Sequence, residues 1–298
     1  MSLSNLLKKI ADSEPGPETC ALFDFDGTVI SGYSATAFLK DQIARGELSP
    51  ADLIQLTQAA TRFGIGSLGF SALMAVHAQY LAGRSESEYI ANSERLFRRA
   101  IAKLVYPEAR QLIDAHREKG HSIAIISSAT PYQVIPAAKD LGIDNVYATD
   151  LEVVDGYFTG SVVTPTCFGE GKVLAAEAFA EDHGGSVDRS FFYSDSTDDI
   201  ALLETVGYPV VLNGSKQLRV IAAEKRWPSA DFSSRGNASG GEIMRSLAAT
   251  GSLVSSFVMA LPLYMLSGSR RDAANFSISL FADTASALIG MKLDVRGQ

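Results

Sequence analysis

Residues 20–28 read Cys-Ala-Leu-Phe-Asp-Phe-Asp-Gly-Thr, and the fold follows from how that run ends. Four apolar residues lead straight into two carboxylates, Asp24 and Asp26, at positions i and i+2. An apolar run without polar alternation marks a strand buried on both faces, as parallel sheets require. Because it ends in carboxylates, the strand must open to solvent at its C-terminal end. Along an extended chain Asp24 and Asp26 point the same way. Two like charges that close are costly unless a cation binds them or one takes up a proton. The pair can therefore supply a nucleophile, a general acid and a metal site together. An acidic turn after a strand is the competing reading.

Working outward, HSIAIISS (121–128) is a second buried strand, and the helix PYQVIPAAKDLG (131–142) follows it. Before it, Pro107 opens and Gly120 closes a helix over PEARQLIDAHREKG. NVYATDLEVVDGYFTGSVV (145–163) holds a short strand and then a hairpin turning near Asp155-Gly156. A helix over 171–181, the strand RSFFYSD (189–195) and a helix over 197–205 come next. The strand YPVVLN (208–213) and a helix over 215–227 complete the series. Strands alternating with helices predict an α/β fold, a doubly wound parallel sheet with right-handed crossovers. In such sheets the ligand sits at the carboxyl ends of the strands, which puts Asp24, Ser127 and Asp195 on one rim.

The stretch 33–105 interrupts this pattern. It reads as helical, with Pro50 and Ser85 at helix starts and Gly46, Gly64, Gly66 and Gly83 at breaks. It is expected to form a helical cap over the rim, leaving 19–32 and 106–228 as the core. Residues 1–18 are expected to be a loosely held tail, although Leu3, Leu6, Leu7 and Ile10 could make a short amphipathic turn. Residues 229–241, SADFSSRGNASGG, read as a polar linker, and 242–298 as an apolar helical pair.

Three more segments carry chemistry. Ser127 and Ser128 end the second strand just before a helix, where hydroxyls and free backbone N–H groups cradle phosphate; helix capping is the competing reading. Lys172 falls at a helix start, where the dipole disfavours a cation, so its place hints at a task. In YSDSTDD (193–199), Asp195, Asp198 and Asp199 offer hard oxygen ligands of the kind Mg²⁺ takes. Asp198 and Asp199 also suit a helix start.

DFDGT, the strand ending in Ser127, Lys172 and SDSTDD resemble the four ordered motifs of the haloacid dehalogenase superfamily, over about residues 20–227. The helical insert and the DGYFTG hairpin resemble its phosphoserine-phosphatase-like branch, with a class I cap of subgroup B. The resemblance implies a Mg²⁺-dependent phosphatase that hydrolyses phosphate monoesters through an aspartyl-phosphate. Asp24 would be the nucleophile and Asp26 the general acid and base. Ser127, Ser128 and Lys172 would hold the phosphoryl group, and Mg²⁺ would sit at Asp24, Asp195 and the Asp26 carbonyl. Asp198 and Asp199 would be supporting residues; Asp198 stands where the family commonly has Asn. The dehalogenase variant lacks the second Asp, so Asp26 argues against it, whereas a phosphomutase would use the same residues. Where phosphoserine phosphatases grip their substrate with a Glu, this chain has Tyr33, which speaks against phosphoserine.

The chain also resembles the phosphatase half of bifunctional proteins that join this domain to a 1-acylglycerol-3-phosphate acyltransferase, with a lipid-related substrate implied. The alternatives are another small-metabolite phosphatase, or a catalytically silent membrane-docking module. His183 and Asp188 have the acyltransferase His-x4-Asp spacing, but the loop HGGSVD around them offers no other such feature. The remaining histidines, His77, His116 and His121, show no metal-ligand spacing.

A net charge of −8 argues against nucleic acid as a partner. Two cysteines, Cys20 and Cys167, read as buried thiols in a reducing cytosol. The N-terminus shows no signal peptide, so a cytoplasmic placement is expected, with peripheral attachment to the inner face of the membrane through 242–298. There, 246–269 carry no charge and are followed by Arg270 and Arg271. A helical hairpin in a membrane interface, packing on an acyltransferase domain or on a second copy as a homodimer, and a spanning helix are the three readings.

Overall fold

The computed structural model describes residues 1–64, 69–234, 259, 269, 271–272 and 274–280. Two compact units divide the chain, Met1–Gly236 and Asn237–Gln298. Of the second unit, residues 274–280 are helical. The expected apolar helical pair otherwise lies outside the described residues. No helix among the described residues is long and apolar enough to cross a membrane.

The first unit is built on strands β1 (Cys20–Phe23), β2 (Ser122–Ile126), β3 (Asn145–Tyr147), β6 (Phe191–Ser194), β7 (Tyr208–Leu212) and β8 (Ser229–Ala230). They pair in parallel in the order β3-β2-β1-β6-β7-β8. Successive side chains on a strand face opposite ways, and both faces are covered. Ala21, Phe23, Ile125 and Tyr193 pack with helices α1 (Leu3–Ala11), α6 (Pro107–Glu118) and α7 (Pro131–Leu141). Leu22, Ala124, Ile126 and Phe192 pack with α8 (Glu170–Asp182), α9 (Ile200–Thr205) and α10 (Lys216–Lys225). The α/β doubly wound reading therefore holds.

The cap comprises α2 (Ser34–Ala44), α3 (Pro50–Gly64), α4 (Phe70–Leu81) and α5 (Glu86–Leu96). Ser85 caps α5, its side chain accepting from the Glu88 N–H. A short antiparallel pair, β4 (Leu151–Val154) and β5 (Tyr157–Val162), props the cap. Gly83 N–H donates to Phe158 O at 2.8 Å, and Phe158 N–H donates to Arg84 O at 3.1 Å. Asp155 and Gly156 both have positive φ at the hairpin turn, as a tight turn of that kind demands.

Two boundaries differ from the sequence expectation. Residues 1–18 are not a loose tail: α1 is capped by Ser2 and buries Leu6 and Ile10 on the face where it meets α6. A nine-residue helix is marginal alone, so its docking, not its propensity, holds it. The linker does not begin at Ser229. Ser229–Ala230 add a strand beside β7, and Phe232 is buried edge-on to Tyr106 with centroids 5.2 Å apart.

Candidate active site

The strand order brings the separated motifs to one rim. Asp24, Asp26, Ser127, Ser128, Lys172, Asp195, Asp198 and Asp199 all line one cavity of about 400 Å³ between core and cap. Asp24 follows β1, and its N–H extends the ladder to Tyr193 O at 2.9 Å. Ser127 is placed in the same way beside β3, donating to Tyr147 O at 2.9 Å. Its Oγ accepts from the Ala129 N–H at 3.2 Å, just before α7.

Lys172, in the first turn of α8, is 2% exposed, so it is no solvated surface lysine. Its Nζ lies 2.7 Å from Asp24 Oδ1 and 2.7 Å from Asp199 Oδ1. Burial alone would depress the ammonium, but Asp199 and Asp24 outweigh it and hold the pKa above the ordinary range. Asp199 also accepts from Ser194 Oγ at 2.6 Å. Burial raises Asp24 to about 7; Lys172 pulls it down, and the charge of Asp199 adds to the rise. Asp195 is raised well above the usual range, first by burial and then by Asp24 and Asp199.

Asp26 is set apart from this knot. Its Oδ1 accepts from the Ser34 N–H at 2.7 Å and its Oδ2 from Ser34 Oγ at 3.1 Å. Burial raises it to about 6, with the Ser34 bonds pulling back. Ser34 opens the cap helix α2, and its Oγ accepts from Gln133 Nε2 at 3.1 Å. Gln133 in turn closes a capping box with Thr130 at the start of α7. Neither Ser34 nor Gln133 was singled out from the sequence, although Thr130-x-x-Gln133 is a readable capping signature.

Gly27 is required by packing. Its φ is +78°, and a Cβ there would lie 2.1 Å from Asp195 Oδ2. The DFDGT turn thus lies directly against the Asp195 carboxylate. Asp24, Asp195 and Asp199 crowd around a single ammonium, an imbalance of negative charge that a divalent cation would offset. Among the described residues no group of three or more His, Cys, Asp or Glu forms a ready metal cage. Two carboxylates, a backbone carbonyl and water are the donor set Mg²⁺ takes without one. Asp24, Asp195 and the Asp26 carbonyl fit that set. Asp198 is exposed and its N–H donates to Ser196 Oγ at 3.1 Å.

The chain belongs to the haloacid dehalogenase-like hydrolase family, which matches residues 21–204. It is similar to phosphoserine phosphatase SerB1 of Mycobacterium tuberculosis, 33% identical over 217 residues, covering 71% of this chain and 70% of that one. It is also similar to a histidinol-phosphatase of Neisseria meningitidis, 29% identical over 217 residues, covering 71% of this chain and 98% of that one. A solved structure from Bordetella pertussis, of unknown function, shares the fold with a TM-score of 0.67 and 28% identity, covering 72% of this chain and 99% of that one. The family and its phosphatase relatives make this chain a phosphatase.

Proposed function

We propose that the protein is a Mg²⁺-dependent phosphomonoesterase that works through an aspartyl-phosphate on Asp24. The observation that carries this is the Asp24–Lys172–Asp199 cluster at the mouth of β1, with Asp26 held two residues on by Ser34. An Asp24 carboxylate oxygen attacks phosphorus, and the P–O bond to the alcohol breaks with its electron pair leaving on oxygen. Asp26, whose raised pKa of about 6 suits a proton donor near neutrality, protonates that oxygen. It then takes a proton from the water that releases phosphate and restores Asp24. Lys172, Ser127 and Ser128 hold the phosphoryl oxygens, an electrostatic role that dominates phosphoryl transfer. Mg²⁺, held by Asp24, Asp195 and the Asp26 carbonyl, would supply positive charge and keep Asp24 ionised. Asp198 and Asp199 support the site, Asp199 by fixing Lys172.

The similar proteins named for phosphoserine and histidinol phosphate differ in substrate, so likeness at this level selects neither. Tyr33, in the place of the substrate-gripping Glu, favours a substrate other than phosphoserine. A lipid-related substrate, and docking of 242–298 on a membrane face, an acyltransferase domain or a second copy, remain proposals drawn from the apolar sequence of that segment.

The test is acid quench during turnover with labelled substrate, followed by peptide mapping. The label should ride on the peptide carrying Asp24 and be absent in Asp24→Asn. Label on any other residue overturns the mechanism.

A further inference from the structure

The floor of the cavity is charged, but among the described residues its remaining walls are not. From the cap come Tyr33, Phe63, Phe70, Leu73 and Met74, and from the core loop comes Phe168. Among the described lining residues Lys172 is the only cation, and it is already held between Asp24 and Asp199. Every lining carboxylate belongs to the floor segments around Asp24 and Asp195. A leaving group bearing a carboxylate would meet no cation among the described lining residues away from the reacting phosphate. One bearing an ammonium would find its partners only among the carboxylates of the reaction centre.

The aromatic wall is built rather than incidental. Phe70 and Phe168 stack with centroids 4.3 Å apart and planes 5° from parallel. Phe63 meets both edge-on, at 6.1 and 6.3 Å. All three rings are half-buried, so they keep surface for a guest instead of spending it in the core. Phe168 is fixed by its own loop: its N–H donates to Thr166 O at 2.8 Å, and its carbonyl accepts from Gly171 N–H at 2.9 Å. A Cβ at Gly171 would lie 1.9 Å from Thr166 O, so that glycine lets the loop close. The same loop leads into α8 and Lys172, which ties the aromatic platform to the cation at the reaction centre. Ser71 Oγ lies 3.3 Å from Thr166 Oγ1, joining cap to core beside the stack.

We propose that the natural substrate is the phosphate monoester of an uncharged apolar alcohol carrying an aromatic ring, which lies against Phe63, Phe70 and Phe168. This rests on the phosphatase reading above and adds its substrate class. Aromatic rings gain from offset-stacked and edge-to-face contacts with another ring beyond the area they bury, and among the described lining residues no cation is free to pair with an acidic leaving group.

The experiment compares kcat/KM for 2-phenylethyl phosphate, n-octyl phosphate, ethyl phosphate, phosphoethanolamine and O-phosphoserine, with acetyl phosphate as reporter of the phosphoryl machinery. The five monoesters all release primary alcohols, so their ratios report the seat of the side group. 2-Phenylethyl phosphate should exceed ethyl phosphate, phosphoethanolamine and O-phosphoserine by about tenfold or more, the scale of discrimination an apolar pocket gives. It should also exceed n-octyl phosphate; the reverse order would assign the wall to a hydrocarbon chain and overturn the aromatic assignment. Phe70→Ala and Phe168→Ala should each cut the ratio of 2-phenylethyl to acetyl phosphate by about fivefold. Leu73→Arg should raise the relative use of phosphoglycolate by supplying the missing cation. If acetyl phosphate is inert with Mg²⁺, the phosphatase reading itself fails and takes this inference with it. If acetyl phosphate is hydrolysed while O-phosphoserine matches or beats 2-phenylethyl phosphate, only the leaving-group inference is overturned. That comparison uses the unaltered protein, so it decides even where a variant fails to fold.

Discussion

Strand β6 carries two buried polar clusters that treat charge in opposite ways. Beyond its C-terminal end, Asp195 and Asp199 join Asp24 and Lys172 in a knot with surplus negative charge. One residue before that end, Tyr193 turns to the other face of the sheet and enters a chain of neutral groups. Tyr193 OH lies 2.8 Å from His116 Nε2, His116 Nδ1 lies 2.7 Å from His121 Nδ1, and His121 Nε2 lies 2.9 Å from Glu14 O. The proton positions follow from the last partner. A backbone carbonyl only accepts, so His121 Nε2 donates to it, and the Nδ1 of a neutral His121 must accept. His116 Nδ1 then donates to it, and His116 Nε2 accepts from Tyr193. Phe23 and Phe191 pack around His116. One cluster satisfies every group it buries and serves the fold. The other buries more carboxylates than cations and raises their pKa values, the imbalance that a bound ligand completes in the function proposed above.

Substituting across the two clusters should separate function from stability. Asp24→Asn should lower kcat by on the order of 10⁴ or more, as loss of a covalent nucleophile does. It should leave the melting temperature level or higher, because Lys172 keeps Asp199 and one repulsive carboxylate is gone. A folded variant with near-normal turnover, in a preparation free of host phosphatase, would contradict the assignment.

His116→Ala should do the reverse. It removes a fully buried ring and orphans Tyr193 OH, costing about 3 kcal/mol and lowering the melting temperature by roughly 6–12 °C. The kcat of the protein that remains folded should change little. Calorimetry paired with active-site titration would read both, and a large fall in kcat without loss of stability would reject the division.

Magnesium should stabilise only the charged cluster. At a hundred times its dissociation constant it should add about 2.7 kcal/mol to folding. The shift in melting temperature should vanish in Asp195→Asn and persist in His116→Phe. EDTA should abolish hydrolysis, and Mg²⁺ should restore it better than Ca²⁺, whose coordination is looser.

Acid should pull the clusters apart. Burial, and then His121, hold the pKa of His116 well below its ordinary value. Below about pH 6.5 the unfolded chain binds a proton that the folded chain refuses, so stability falls by about 1.4 kcal/mol per pH unit. Asp24 and Asp26 act in the opposite sense. With folded pKa values of about 7 and about 6, in place of 3.8, they hold protons that the unfolded chain has released. Their contribution therefore grows as pH falls from about 7 towards 4. Urea midpoints at pH 7.5, 6.5 and 5.5 should show the stability gap between wild type and His116→Phe narrowing with acid. A constant gap would mean that His116 takes up its proton as readily in the folded protein as in the unfolded chain.

The smallest effect is expected from shortening the chain. All residues of both clusters precede Gly236, where the first compact unit ends. A chain ending there should keep kcat/KM for a water-soluble phosphate ester within about twofold, a change too small to mean a lost contact to the transition state. Unfolding on truncation would place the domain boundary elsewhere. Liposome flotation of the long and short forms would test the membrane role proposed for 242–298.

The sequence by itself determined whatever depends on neighbours along the chain. DFDGT fixes two carboxylates at the mouth of a strand by covalent adjacency. Apolar runs and their alternation with helices dictate a doubly wound sheet, and the rule that ligands bind at the carboxyl ends of its strands gathers Asp24, Ser127 and Asp195. The hairpin at Asp155-Gly156 and the helix opened by Ser85 were legible because turns and caps are local devices. Only the tertiary structure decided which groups touch. Lys172 meets Asp24 across 148 residues, and His116 meets Tyr193 across 77. Ser34 on Asp26, the closeness of Gly27 to Asp195, and the wall of Phe63, Phe70 and Phe168 likewise depend on where crossovers and cap deliver distant segments. Strand β8 escaped the reading, and helix α1 was read as no more than a short amphipathic turn in a loose tail, for a related reason. A two-residue strand has no periodicity to detect, and a nine-residue helix has too little stability of its own. Each exists because a partner surface, β7 for one and α6 for the other, supplies the bonds and burial that its own residues cannot.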